Sequence, residues 1–187
     1  MRTLNERADV IPLIAEAFRE FGFEGASLSR ITEQTGLGKG SLYHFFPGGK
    51  DEMARAVLAH VDAWFEREIF APLHDDTPDA AIARMWRGID DYFRSGRRVC
   101  LVGAFALDET RDRFAAAIAS YFKRWIAALR AALMRGGWSS AQAADCAEEV
   151  VLGIQGALVL ARATDDEDVF GRALGRFESR LQRPSAV

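Results

Sequence analysis

Lys39, Ser41, Tyr43 and His44 fall within six residues and bring together an ammonium, a hydroxyl, a phenol and an imidazole. Carried on one short helix, this set suits hydrogen bonding to nucleic acid. A lysine reaches guanine O6 or N7, and hydroxyls and phenols bond phosphate oxygens. Gly38 and Gly40 flank Lys39 and carry no side chain, so the backbone there can come close to a duplex. Ser27 can hold a phosphate through its hydroxyl and the free N–H groups of a helix start. Lys50 opens a later helix, where ammonium and helix dipole together favour an anion. Leu42 and Phe46, four apart, anchor the polar helix from behind.

Residue types that do catalysis are poorly placed. His60 and Asp62 are two apart on a helix and point in different directions. His74-Asp75-Asp76 reads as a solvated connector, and Asp108 beside Glu109 makes a poor carboxylate pair. A glycine-rich phosphate loop needs a preceding strand, and no strand alternation is present. We therefore expect no enzyme, no cofactor and no metal. Cys100 and Cys146 fit no zinc spacing and read as free thiols. Arg97 and Arg98 precede Cys100 and would lower its pKa, which makes it a candidate reactive thiol; the plainer reading is a buried, inert cysteine.

The elements that must carry these groups are helical throughout. Ile11, Ile14, Ala15, Phe18 and Phe21 stripe a first helix over about 4–21, which Gly22 ends. Ser27 caps a second helix to about Thr35, Gly36 supplies the turn, and a third helix covers Lys39–Phe45. After Pro47-Gly48-Gly49 a fourth helix runs from Lys50 to about Phe70, and Pro72 to Pro78 reads as a polar connector. Thr77-Pro78-Asp79 starts a fifth helix that stops at Gly96. A short helix at 101–109 and longer ones at about 111–135, 140–163 and 167–181 follow; Ser139 with Gln142 forms a capping box, and the end from Pro184 reads as frayed. The expected fold is all-α: a small three-helix unit, a long connecting helix and a larger helical body.

Composition narrows the class. With 187 residues, 49% of them apolar, the chain can bury a sizeable core. No apolar run is long enough for a membrane span, and the first residues lack a signal-peptide core, so a cytoplasmic protein is expected. Net charge is −3, yet residues 26–50 hold Arg30, Lys39 and Lys50 against Glu33 alone. A basic tip on an acidic body fits a DNA reader.

The pattern Ser27-x-x-x-Ile31, Gly36, Gly40-Ser41-Leu42-Tyr43-x-x-Phe46 and Lys50 before two acidic residues closely resembles the helix-turn-helix of TetR-type transcriptional regulators. The longer Phe46-Pro47-Gly48-Gly49-Lys50 joint is similar to the subgroup of the LmrA and YxaF repressors. Thr32, Thr35 and Gly38 depart from the usual residues, and Gly38 gives up a capping hydroxyl. The resemblance implies a DNA-binding domain over 1–50 and a ligand-binding and dimerisation domain over 51–187. Its DNA-contacting set would be Ser27, Lys39, Gly40, Ser41, Tyr43, His44 and Lys50.

It further implies a homodimeric, ligand-inducible repressor whose partners are a palindromic double-stranded operator and a small, largely apolar effector. Pocket candidates are Trp86, Phe93, Phe105, Phe122, Trp125 and Gln155, although each aromatic alone reads as ordinary core. The last two long helices would form the dimer interface through Val151, Ile154, Leu158, Ala161, Phe170, Leu174 and Phe177. A helical ligand-binding protein whose head meets a protein partner is the alternative.

Overall fold

The computed structural model describes residues 6–181, and every regular element among them is helical. The all-α expectation is met; the expected positions at residues 4–5 and from Pro184 lie outside the described residues. In chain order the helices are α1 (Arg7–Gly25), α2 (Leu28–Thr35), α3 (Lys39–Phe45) and α4 (Gly49–Phe65). A π-turn (Glu66–Phe70) leads into α5 (Ala71–Asp75), then come α6 (Pro78–Phe93) and α7 (Leu101–Leu107). After a 3-10 stretch (Glu109–Phe114) come α8 (Ala115–Arg135), α9 (Ser140–Thr164) and α10 (Asp168–Leu181). Among the described residues no helix is long and apolar enough to cross a membrane.

Packing divides the chain into two compact units. One gathers the chain up to Ala63 with Leu101–Ile118; the other joins Trp64–Cys100 to the chain from Ala119 on. In the first, Ile14, Phe18, Ile31, Leu42, Phe46, Met53 and Val57 are fully buried. Each such side chain contributes about 1.5–3 kcal/mol. Phe23 stacks on Phe18 at 5.7 Å and meets Phe105 and Phe114 edge-on at 5.8 and 5.6 Å, so residues 101–114 are part of the core beneath the helix-turn-helix.

In the second unit Phe65 is the centre. Its ring lies 4.8 Å from Tyr92, 4.9 Å from Tyr121 and 5.2 Å from Trp125. Phe93 reaches Phe170 at 6.1 Å and so ties α6 to α10. The expected capping box is formed: Ser139 Oγ accepts from Gln142 N–H, and the Gln142 side chain accepts from Ser139 N–H.

Two local outcomes differ from the sequence reading. Gly22 breaks the regular helix as expected, but the break is a kink and α1 does not stop there. The residue takes φ +69, and one further turn follows to Gly25. Nor does the connecting helix stop at Phe70 before a polar connector. Pro72 has no N–H to donate to Glu68, so the preceding turn widens, Ala71 N–H donates five residues back to Glu66, and helix continues to Asp75.

Candidate nucleic-acid interface

Helix α3 is held by few side chains and exposes the rest. Leu42 is fully buried under α3, and Phe46 just beyond it is too. Lys39, Gly40, Ser41, Tyr43 and His44 are all exposed, and the Tyr43 ring keeps 46% of its surface open. The structure thus brings five of the seven sequence-selected residues onto one solvated helix.

Each joint around α3 is closed by a specific bond. Ser27, the N-cap of α2, accepts from Arg30 N–H at 3.3 Å. Gly36 takes φ +70 and supplies the left-handed residue that the turn between α2 and α3 requires. Thr35 is buried; its hydroxyl donates to Ile31 O at 2.7 Å and accepts from Leu37 N–H at 3.3 Å, so this departure from the usual residue stiffens the turn. Gly38 caps α3 without a side-chain bond, as expected from the missing hydroxyl. Past α3, Glu52 accepts from Gly48 N–H at 2.7 Å and pairs with Arg7 at 2.8 Å.

Lys50 is the exception. The sequence reading gave its ammonium to a phosphate, whereas here it donates to Phe23 O at 2.9 Å and Glu24 O at 3.4 Å. It also lies 3.6 Å from the Glu24 carboxylate and 4.4 Å from the centre of the Phe23 ring. Arg30, counted in the basic tip, donates to Gly25 O at 2.8 Å. Sequence reasoning missed both internal roles, because charge counting does not show what a cation reaches.

The residues expected to line a pocket are dispersed. Phe105 packs with Phe18, Phe23 and Phe114 in the first unit. Trp86, Phe93, Phe122, Trp125 and Gln155 lie in the second. Phe93 and Trp125 are fully buried, Phe122 is half-buried against Tyr121, and Trp86 edges a cleft of about 220 Å³ with Asp79, Ile82 and Leu181. Trp86 Nε1, Trp125 Nε1 and Gln155 Nε2 are buried donors with no acceptor among the described residues. Cys100 is buried; Arg97 pairs with Glu167 at 3.5 Å and Arg98 lies 4.9 Å from the Tyr92 ring. Burial pushes the Cys146 thiol above its usual pKa.

Of the seven residues selected for self-association, Val151, Ile154, Leu158, Ala161, Phe170 and Leu174 are buried within the subunit, and Phe177 is half-buried. The open apolar residues of α9 are Leu152, Val159 and Leu160, with Gly156 between them. They recur at helical spacing, a signal the sequence held but which the stronger stripe of α9 overshadowed. Beside them Gly153, Gly156, Leu160, Val169, Ala173 and Phe177 line an open groove of about 460 Å³ between α9 and α10.

Comparison with known proteins bears on these surfaces. Residues 13–57 match the family model described as bacterial regulatory proteins, tetR family. Residues 78–174, more than half the chain, match that of the C-terminal domain of LmrA/YxaF-like transcriptional regulators. Among relatives, the HTH-type transcriptional regulator YxaF of Bacillus subtilis is 24% identical over 168 residues, covering 87% of this chain and 88% of the relative. LmrA of the same organism is 23% identical over 161 residues, covering 83% and 86%. A TetR-family regulator from Agrobacterium tumefaciens shares the fold with a TM-score of 0.78 at 20% identity, over 93% of this chain and 96% of the other. The regulator CifR, solved as a cysteine mutant with 26bp double-strand operator DNA, gives a TM-score of 0.74 at 23% identity, over 97% and 98%.

Proposed function

Because the chain belongs to the TetR family of bacterial transcriptional regulators, DNA-binding proteins and not enzymes, we propose that it is a ligand-inducible repressor. As a homodimer it binds a near-palindromic operator and is released by a small, largely apolar molecule. Residues 1–50 serve DNA contact, and 51–187 serve effector binding and self-association.

One observation carries the DNA-reading part: α3 exposes Lys39, Gly40, Ser41, Tyr43 and His44 while burying Leu42. Lys39 and the hydroxyls address base edges and phosphates, and Ser27 adds a phosphate contact at the start of α2. CifR, seen with operator DNA, supports this use of the fold.

The buried donors of Trp125 and Gln155 support the effector part. A ligand acceptor that reached either nitrogen would satisfy it. Two copies meet along α9 and α10, where Leu152, Val159 and Leu160 otherwise face water. Effector and operator then oppose each other by stabilising different arrangements of the dimer.

The test is a binding series on a duplex enriched by the protein from a randomised pool. Lys39→Ala should weaken binding and lower the slope of log affinity against log salt by about 0.9 for each phosphate that is no longer neutralised. Unchanged affinity and slope would remove α3 from the interface.

A further inference from the structure

The joint between α3 and α4 is Pro47-Gly48-Gly49, and its backbone donors are few. Proline has no N–H, so Gly48 and Gly49 supply them. Gly49 N–H donates to Phe46 O at 2.9 Å and closes the turn, with Gly49 at φ +65. Gly48 N–H donates to a side chain instead, Glu52 Oε2, at 2.7 Å. A Cβ on Gly48 would stand 3.1 Å from both Cβ and Oε2 of Glu52, so the bare backbone lets the carboxylate come this close.

The joint bears on α3 at two points. Phe46, fully buried, follows the last residue of the helix, and the Arg7 guanidinium lies 4.8 Å from the centre of its ring while pairing with Glu52 Oε1 at 2.8 Å. The Tyr43 ring lies beside Gly49: a Cβ there would be 3.8 Å from Tyr43 Cε1. Each oxygen of one carboxylate thus has its own partner, one on the joint and one on α1. Glu52 sits in the first turn of α4, where the helix dipole favours a negative charge. Toward DNA the same charge is a liability, because it repels a polyanion. Any benefit of Glu52 to operator binding has to come through geometry.

The geometry points to Glu52 as a positioning residue for operator binding. Its bond to Gly48 fixes the backbone against which Tyr43 lies and from which the end of α3 is presented. A carboxylate shares the charge of phosphate and binds none. This rests on the DNA-binding reading above.

Full-length Glu52→Gln and Glu52→Met are compared on the enriched duplex at a temperature where each is folded. The two side chains are similar in length, both suit a helix, and both remove the same charge, so attraction to DNA changes equally in the two. Only glutamine keeps an oxygen that can accept from Gly48 N–H. Glu52→Met should bind about tenfold more weakly than Glu52→Gln, and more weakly than the unaltered chain although it carries one negative charge fewer. Equal affinities for the two variants, or a Glu52→Met that binds as tightly as the unaltered chain, overturn the proposal. Glu52→Ala takes the place of Glu52→Met if that variant does not fold. Without DNA, the Gly48 amide proton should resonate further upfield in Glu52→Met than in Glu52→Gln; the same position in both means that the bond is not made, and overturns the proposal too. If the unaltered chain enriches no duplex, the DNA-binding reading fails and the proposal with it, whereas the Gly48 resonance still reports whether the joint is clamped.

Discussion

The ring of Phe177 lies directly over the α-carbon of Gly153: a methyl group at that carbon would come within 2.1 Å of the ring's Cζ and 2.3 Å of Cε2. The absent side chain is what lets α10 approach α9 so closely. Gly153→Ala must push the ring aside, and overpacking of this kind costs about 1–3 kcal/mol. A lower urea midpoint for Gly153→Ala, recovered in part by also shortening Phe177 to leucine, is the expected result. Equal midpoints for Gly153→Ala and the unaltered chain would show that the ring is free to leave.

Trp125 separates packing from polar complementarity. It is fully buried between Phe65 and Tyr121, so Trp125→Ala should destabilise the fold by about 3–5 kcal/mol. Its Nε1 has no acceptor among the described residues, so Trp125→Phe gives up no hydrogen bond and should cost much less. Denaturation of both variants gives the stability difference. If the nitrogen serves the effector, Trp125→Phe also weakens release from operator by that molecule while leaving effector-free DNA binding intact.

Asp166 and Arg172 give a pH signature. The Arg172 side chain donates to Asp166 at 2.9 Å, and this bond, with the guanidinium charge and two backbone N–H groups, holds the Asp166 carboxyl below its ordinary range. A carboxyl lowered in the folded state adds stability above its unfolded pKa of about 3.9 and loses it as pH falls through the folded value. The stability gap between the unaltered chain and Arg172→Met should therefore be present at neutral pH and vanish at about pH 2. Arg172 is exposed and Asp166 half-exposed, so the gap is small and shrinks with salt. A gap that persists in acid would mean that Arg172 acts through packing.

Leu152 and Leu160 test self-association. Both are more than half exposed, so replacing them costs the folded subunit little. The double variant Leu152→Glu with Leu160→Glu would bury like charges in a two-fold interface. Light scattering should then report a monomer that melts near the unaltered chain's temperature at matched dilution. A dimer that survives both charges places the interface on another face.

Local signals were legible in the sequence where local partners decide the outcome. The Ser139–Gln142 box, the Gly36 turn and the short helix around Leu42 lie where the residue pattern puts them. Gly22 breaks the helix as its type predicts, but the further turn to Gly25 was not legible, because the carbonyls there are taken by Lys50 and Arg30, and those partners sit on other helices. The apolar faces of α9 were misweighed for a related reason. The helix is apolar on more than one side, and only its packing against α10 shows which stripe is left open.

The widened turn before Pro72 sets the phase of everything that follows it. In an unbroken α-helix residues five apart point about 140° away from each other, yet Phe65 and Phe70 are both buried with their rings 5.9 Å apart. The extra residue brings Phe70 back round to the side that Phe65 occupies and carries Leu73 inward behind it. Closing that turn at full length would swing Phe70 about 140° away from Phe65 and carry Leu73 with it, whereas dropping one residue from 66–69 would keep both in phase on a regular spiral. A relative can therefore keep this core with one residue fewer here and an unbroken helix.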